Sequence, residues 1–432
     1  MQDVHTSTLP NGLTVLIQES HAAPVATFWI WYRVGSRNEP PGLTGISHWV
    51  EHMLFKGTPA HPSGMLTRLI DRLGGRWNAF TWKDYTAYFE VLPAEHIEVA
   101  VRLEADRMAN TRFEPEVVAS ERTVIISERE GAENFPGHHL YEEVDALAFK
   151  THPYRQPVIG WKSDLRGITR DDLYQHYRRY YHPSNAIAVA VGDFATARMA
   201  ALIGEAFGPI PAGETPPPVR PVEPEQEGER RVALRRPGGA TPYLLMVFHV
   251  PAAAHPDLPA LMIASGILSG FKLIPFDSGG GGRSSRLYRA LVERGLATDA
   301  DASFRPSIDP TLLYISATVR SGVEVAAVEA AVHEEIDRLH HERVEPTELE
   351  RVRRQARAQF VYLRDGVFRR AMLLGAFTVV DRPETLAALA DAVDTVTAED
   401  VVRVARAYLG EPNRTVGSYL PLVGASREVA VS

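Results

Sequence analysis

Thr169-Arg170-Asp171-Asp172-Leu173 opens a stretch that reaches Tyr180, passes through Pro183-Ser184-Asn185 and enters the run Ala186-Ile187-Ala188-Val189-Ala190-Val191. The same order returns later in the chain. Thr397-Ala398-Glu399-Asp400-Val401 opens a stretch reaching Tyr408, which passes through Glu411-Pro412-Asn413 into Arg414 to Leu420. An offset of 228 residues holds from Thr169/Thr397 to Asn185/Asn413. Each Thr sits where a helix N-cap accepts a backbone N–H, and the acids behind it suit the positive end of the helix dipole. A repeat this long far exceeds the roughly 20–50 residues of solenoid units, so it predicts two copies of one domain design.

Working outward, Ala26 to Val34 and Pro242 to Val250 read as matching strands, each followed by a loop and a helix, from Thr44 and from about Leu258 respectively. Thr86 to Leu92 and Thr311 to Val319 read as further strands. The expected class is α+β, with two similar domains, each a mostly antiparallel sheet with helices packed on one face. Pro and acidic residues concentrate around residues 211–228, in Pro211-Ala212-Gly213-Glu214-Thr215-Pro216-Pro217-Pro218 and beyond, where almost nothing could enter a core. That stretch is expected to link a first domain, 1–210, to a second, 229–432.

Composition narrows the function. A chain of 432 residues with 45% hydrophobic and 23% charged residues is globular, and its formal charge of −8 leaves no basic field for nucleic acid. With no cysteine, a metal must be held by His and carboxylates. No run of 18 uncharged apolar residues occurs, so no membrane span is expected, and Met1-Gln2-Asp3-Val4-His5 lacks the basic and apolar parts of an export signal. The expected location is cytoplasmic as the sequence stands, and periplasmic or secreted if a signal was removed.

The chemistry concentrates in His48-Trp49-Val50-Glu51-His52, an H-x-x-E-H spacing. On a helix His48, Glu51 and His52 share a face, so two imidazoles can hold one zinc ion and the carboxylate can take a proton from water. A third ligand is required. The helix expected after Phe113-Glu114-Pro115 places Glu121 and Glu128 seven residues apart on one face, with Val117, Val118, Val124 and Ile125 as its apolar stripe. Spacing alone does not single out Glu128. Gly279 to Gly282 reads as a flexible loop ahead of a helix, since no Gly-Lys-Ser/Thr follows, and the adjacent pairs His138-His139 and His340-His341 splay apart on any regular element and so are poor chelators.

These residues resemble the inverted zincins typified by pitrilysin, insulin-degrading enzyme and the mitochondrial processing peptidase. In that family a third ligand follows the motif by some 76 residues, with another Glu seven residues before it, and His52 to Glu128 is 76. The resemblance implies Zn2+, one per chain, held by His48, His52 and Glu128, with Glu51 as the catalytic base and Glu121 as a carboxylate supporting the ligands. It extends to Leu9-Pro10-Asn11-Gly12-Leu13, Gly74-Gly75, His152-Pro153-Tyr154 and Tyr181-His182-Pro183. It further implies that Asn78, Ala79 and Phe80 form a strand edge that pairs with a peptide substrate, although a plain hairpin with Asn in a turn fits the same residues.

One departure stands out. Where relatives that act alone or as homodimers carry an Arg and a Tyr seven residues apart in the second half, this chain has Leu291 and Thr298. Neither supplies the charge or phenolic donor that stabilises an oxyanion. The expectation is a zinc endopeptidase acting on extended peptides or unfolded segments, paired as a heterodimer with a paralogous subunit that brings Arg and Tyr, a homodimer being the second arrangement. The alternative function is a non-catalytic assembly or core subunit of the same fold.

Overall fold

The computed structural model of the chain describes residues 4–237, 240–273, 282–362 and 366–422. Gly279 to Gly281 of the glycine-rich stretch fall outside them. The first sheet comprises β1 (His5–Thr8), β2 (Thr14–Glu19), β3 (Val25–Tyr32), β4 (Arg76–Thr81), β5 (Thr86–Pro93) and β6 (Ala186–Gly192), in the order β1-β2-β6-β3-β5-β4. The second comprises β7 (Arg230–Pro237), β8 (Tyr243–Val250), β9 (Ala297–Phe304), β10 (Thr311–Val319) and β11 (Arg414–Leu422), in the order β7-β11-β8-β10-β9. In each sheet a single pair is parallel, β2 with β6 and β7 with β11, and every other neighbour is antiparallel. The second sheet thus repeats β2 to β6 of the first in the same order.

The helices of the first half are α1 (Ile46–Met53), α2 (Met65–Arg72), α3 (Ile97–Asn110), α4 (Pro115–Glu133), α5 (Pro136–Ala148), α6 (Lys162–Gly167), α7 (Arg170–Tyr180) and α8 (Thr196–Phe207). Those of the second are α9 (Leu258–Ser269), α10 (Val325–His341), α11 (Pro346–Tyr362), α12 (Val367–Val380), α13 (Thr385–Thr395) and α14 (Ala398–Tyr408). Among the described residues no helix is long and apolar enough to cross a membrane.

The repeated sequence produces repeated hydrogen bonds. Thr169 and Thr397 each cap their helix in a capping box, the Thr hydroxyls accepting from Asp172 N–H at 3.2 Å and Asp400 N–H at 3.0 Å. Asn185 and Asn413 each donate from Nδ2 to the carbonyl at the end of the preceding helix, Tyr180 at 2.9 Å and Tyr408 at 2.6 Å. A buried strand entry needs such a donor for the last helical carbonyls.

Residue alternation along β3 sets the layers. Phe28, Ile30 and Tyr32 join the main core with residues of α1, α3, α7 and α8, and Trp29 and Trp31 point to the opposite face. That second face is covered by α12: Phe368 packs, tilted, against Trp29 with ring centroids 5.0 Å apart. Gly375 is required there, since a Cβ would meet the Trp31 indole at 2.1 Å. The reciprocal arrangement holds in the second sheet, where Leu140, Val144 and Ala148 of α5 pack on Leu245, Val247 and Tyr419. The main helical layers lie on one face of each sheet, as expected, and each remaining face takes one helix from the other half of the chain.

By compactness the chain therefore divides into one unit of residues 1–130, 156–221 and 362–387, and another of 131–155, 222–361 and 388–432. These units differ from the contiguous stretches 1–210 and 229–432 expected from composition. The physical reason is that a Pro-rich stretch marks where little can be buried, whereas α5 and α12 follow the apolar faces they cover.

Candidate metal centre and peptide edge

The candidate ligands lie in the first unit, on α1 and α4. Helix α1 begins at Gly45, whose φ of +87° is left-handed and whose Cβ would meet the Ile159 carbonyl at 2.5 Å, so no other residue fits without strain. The helix start is held by the buried Glu39 carboxylate, which accepts from Gly45 N–H at 2.7 Å and Ser47 N–H at 2.8 Å. Both bonds satisfy orphan donors of the first turn, and they offset part of the burial that raises the Glu39 carboxyl to about 7. Ser47 Oγ lies 3.1 Å from His176 Nε2, and Thr44 Oγ1 donates to Asp164 at 2.8 Å. Trp49, Val50 and Met53 bury the inner face, which leaves His48 and His52 on the other.

The two imidazoles stand edge to face with centroids 4.6 Å apart. His48 Nε2 lies 3.8 Å from Glu128 Oε1 and His52 Nε2 lies 3.5 Å from Glu128 Oε2. One ligand atom from each of the three falls within 4.8 Å of the others. Tetrahedral zinc with bonds of about 2.1 Å separates its ligands by roughly 3.4 Å, so the donor set fits zinc in both type and spacing. Burial and the neighbouring His52 depress His48 to about 3, which keeps its imidazole neutral with a lone pair free.

Behind the candidate ligands, Glu121 is almost fully buried and accepts from two groups. His52 Nδ1 is 2.8 Å from Glu121 Oε1, and Lys56 Nζ is 2.5 Å from Oε2. Burial alone would raise the Glu121 carboxyl, but these two partners outweigh it and hold it below its usual range. Burial likewise works against charge on His52, yet the Glu121 bond and the charges of Glu51 and Glu128 leave its pKa raised. Glu121, by engaging Nδ1, thereby turns Nε2 of the His52 ring toward Glu128.

The apolar stripe expected on α4 needs correction. The buried residues are Val118, Glu121, Ile125 and Arg129, and Val124 is 47% exposed. A carboxylate with two partners and an arginine over the Trp161 ring, at 5.3 Å, occupy positions that hydrophobicity alone assigned elsewhere.

Glu51 is buried beside the ligands and is raised by that burial to about 7, even though the Thr81 hydroxyl donates to its Oε2 at 2.6 Å. Thr81 ends β4, the edge strand of the first sheet. Trp82 N–H donates to the Tyr85 carbonyl at 2.8 Å, and antiparallel alternation from that pair turns the main chain of Trp77, Ala79 and Thr81 away from β5. The outward Ala79 N–H is taken by the Asn78 side chain at 2.9 Å. Asn78 and Ala79 thus lie on a strand edge and not in a turn. The Phe80 ring points the other way, packing edge-on against Trp29 and Trp31 at 6.2 and 5.7 Å.

The second unit holds no counterpart among its described residues. The matching helix α9 is largely apolar and buried at every residue but Pro259, Leu291 is fully buried, and Thr298 is exposed with its hydroxyl 3.4 Å from the Thr318 carbonyl. Lys56, Thr81 and Glu39 are the contributors that sequence reading missed. Lys56 alone left a signal, four residues after His52, although α1 ends at Met53 and Lys56 lies just beyond it.

Comparison with known proteins gives the geometry a family. Residues 14–162 match the family described as Insulinase (Peptidase family M16), and residues 167–356 match that described as Peptidase M16 inactive domain. The chain belongs to peptidase family M16. Family M16 relatives include the zinc protease PqqE of Helicobacter pylori, 27% identical over 94% of this chain and 90% of that protein. An uncharacterized zinc protease of Streptomyces coelicolor is 30% identical over 68% of this chain and 63% of its own length. The mitochondrial-processing peptidase subunit beta of Lentinula edodes is 26% identical over 96% and 89%. The crystal structure of a protease from Helicobacter pylori superimposes with a TM-score of 0.92 at 26% identity, covering 97% of this chain and 99% of that one. An M16 inactive domain from Pseudomonas fluorescens shares the fold, with a TM-score of 0.86 at 19% identity and 98% of each chain covered.

Proposed function

We propose that this M16 chain is a zinc endopeptidase that cleaves extended peptides or unfolded segments, with His48, His52 and Glu128 as the ligands of one ion and Glu51 as the general base. The observation that carries the reading is the convergence of two imidazoles and a carboxylate beside a buried acid, all within the stretch matched to the Insulinase description. When bound, zinc supplies a Lewis acid for the scissile carbonyl and makes water acidic enough to lose its proton near neutral pH. Glu51, buried on the same helical face as the two imidazoles, is placed to accept that proton and return it to the leaving amine. The outward main chain of β4 offers an extended peptide backbone hydrogen bonds that do not depend on its sequence.

Leu291 and Thr298 favour a further element. Neither side chain offers an oxyanion donor, and a relative is named as a beta subunit. The chain is therefore proposed as the catalytic member of a heterodimer whose paralogous partner brings Arg and Tyr. The same two residues, with the inactive-domain match of 167–356, support the second reading, a non-catalytic assembly subunit. A quenched extended peptide, assayed with zinc-loaded chain alone and with the paralogue, separates them. Cleavage by the pair that Glu51→Gln reduces at least a hundredfold, with zinc content unchanged, is the expected result. Equal cleavage by Glu51→Gln removes Glu51 as the base, and no cleavage by the pair favours the assembly role.

A further inference from the structure

We propose that Thr81 is a positioning residue for peptide hydrolysis: its hydroxyl aims the Glu51 carboxylate, and its place at the end of β4 ties that aim to the strand that receives the peptide. The inference rests on the peptidase reading above and adds a residue to it.

Among the described residues Thr81 is the only one that hydrogen-bonds Glu51. The bond, at 2.6 Å, has the length of a charge-assisted O–H···O contact, and it lies where Glu51 is 7% and Thr81 9% exposed. A glutamate has three side-chain torsions, and a general base works only when held within about 0.5 Å of its productive position. Here Thr81 alone provides that restraint, mainly through its hydroxyl and secondarily through its backbone N–H.

The donor is itself committed. Thr81 Oγ1 lies 3.3 Å from Thr86 Oγ1, and Thr86 gives its single hydroxyl proton to the Val34 carbonyl at 2.9 Å. The Thr81 proton is thus left for Glu51. Thr81 and Thr86 also face each other across the β4–β5 ladder, so the hydroxyl pair is fixed by strand register and not by a mobile loop.

Strand geometry supplies the second half of the argument. Trp77, Ala79 and Thr81 alternate onto one face of β4, and their main-chain groups turn outward from β5. The Thr81 N–H turns to Glu51, so a peptide that pairs with this edge engages the outward carbonyl of the residue whose side chain holds the base. Binding and proton transfer meet at Thr81.

The test uses Thr81→Val, which keeps the shape and removes the donor, Thr81→Ala, which removes it with less bulk, and Thr81→Ser, which keeps the hydroxyl. Because a misplacement near 1 Å can cost about a hundredfold, Thr81→Val and Thr81→Ala should lower kcat about 10- to 100-fold with KM within about twofold of wild type. Thr81→Ser should stay within about threefold in kcat. Zinc dissociation constants, measured by competition with a chromophoric chelator, should match wild type for all three. Crystal structures should show the Glu51 carboxylate turned from its wild-type position in the Val or Ala variant and in place in the Ser variant. A kcat kept by both Val and Ala overturns the proposal, as does a loss confined to KM, or a Ser variant that falls with Val. If the wild-type chain, with or without a paralogue, cleaves nothing, the peptidase reading fails on its own. The crystallographic comparison then decides Thr81, and an unmoved Glu51 carboxylate refutes the positioning role.

Discussion

Glu121→Gln is the sharpest probe of the metal centre, because it changes one charge and almost no volume. In the wild type one carboxylate oxygen accepts from His52 and the other from Lys56. A glutamine has one acceptor and two donors on those same atoms. If its oxygen faces His52, its NH2 confronts the Lys56 ammonium; if it turns, the NH2 confronts His52 Nδ1 and the ring loses its orientation. One charge-assisted hydrogen bond is therefore lost either way, at a net of about 1.5–3 kcal/mol. Converted at about 1.4 kcal/mol per factor of ten, that weakens zinc binding by roughly 10- to 150-fold, in line with the 10- to 100-fold typical of carboxylates behind a ligating histidine. Chelator competition at pH 7.5 measures it directly without any substrate. The double variant Glu121→Gln/Lys56→Met removes the opposed ammonium and should recover part of the loss. Zinc binding by Glu121→Gln within threefold of wild type would refute the claim that Glu121 orients His52.

Two further outcomes follow from buried groups. Burial depresses His176 to about 3 from the 6.5 of an unfolded chain, so between those values the unfolded state binds more protons and stability falls as pH falls. From pH 7 to pH 5 this group alone should cost about 2 kcal/mol, and His176→Gln should flatten that part of a chemical-denaturation series; an unchanged slope would show that His176 does not titrate this way. Arg107 is fully buried, bonded to Glu104, 3.5 Å from Glu90 and stacked over Tyr88 at 4.7 Å. Burial and the neighbouring Glu104 push the Glu90 carboxyl well above its usual range, so Arg107→Met chiefly strips Glu104 of its buried cation and should cost about 3–5 kcal/mol by urea denaturation, whereas a loss under about 1 kcal/mol would mean that the pair contributes little.

What sequence revealed and what it hid divide along a physical line. Features encoded in adjacent residues were legible: both capping boxes, the strands at 86 and 311, the H-x-x-E-H face of α1 and the start of α4 at Pro115. Features that depend on which distant element arrives were not. Glu39 and Thr81 look like ordinary surface residues in sequence, and Glu121 is singled out only by the family resemblance; they are buried because Gly45 and Ser47, Glu51, and His52 with Lys56 satisfy them. Periodicity could not foresee a carboxylate on the inner face of α4, so it put Val124 inside. The proline-rich stretch pointed to a break in the chain, and it could not report that α5 and α12 leave their own half to cover a foreign sheet.

That exchange of helices has a consequence for any attempt to split the molecule. A fragment ending at residue 210 would carry α5 with no sheet beneath it and would leave Trp29 and Trp31 uncovered, while the fragment beginning at 229 would carry α12 as its own orphan. Each piece is sticky in a way that only the other relieves. The polypeptide is better regarded as two units that each draw on both halves of the sequence than as beads on a string.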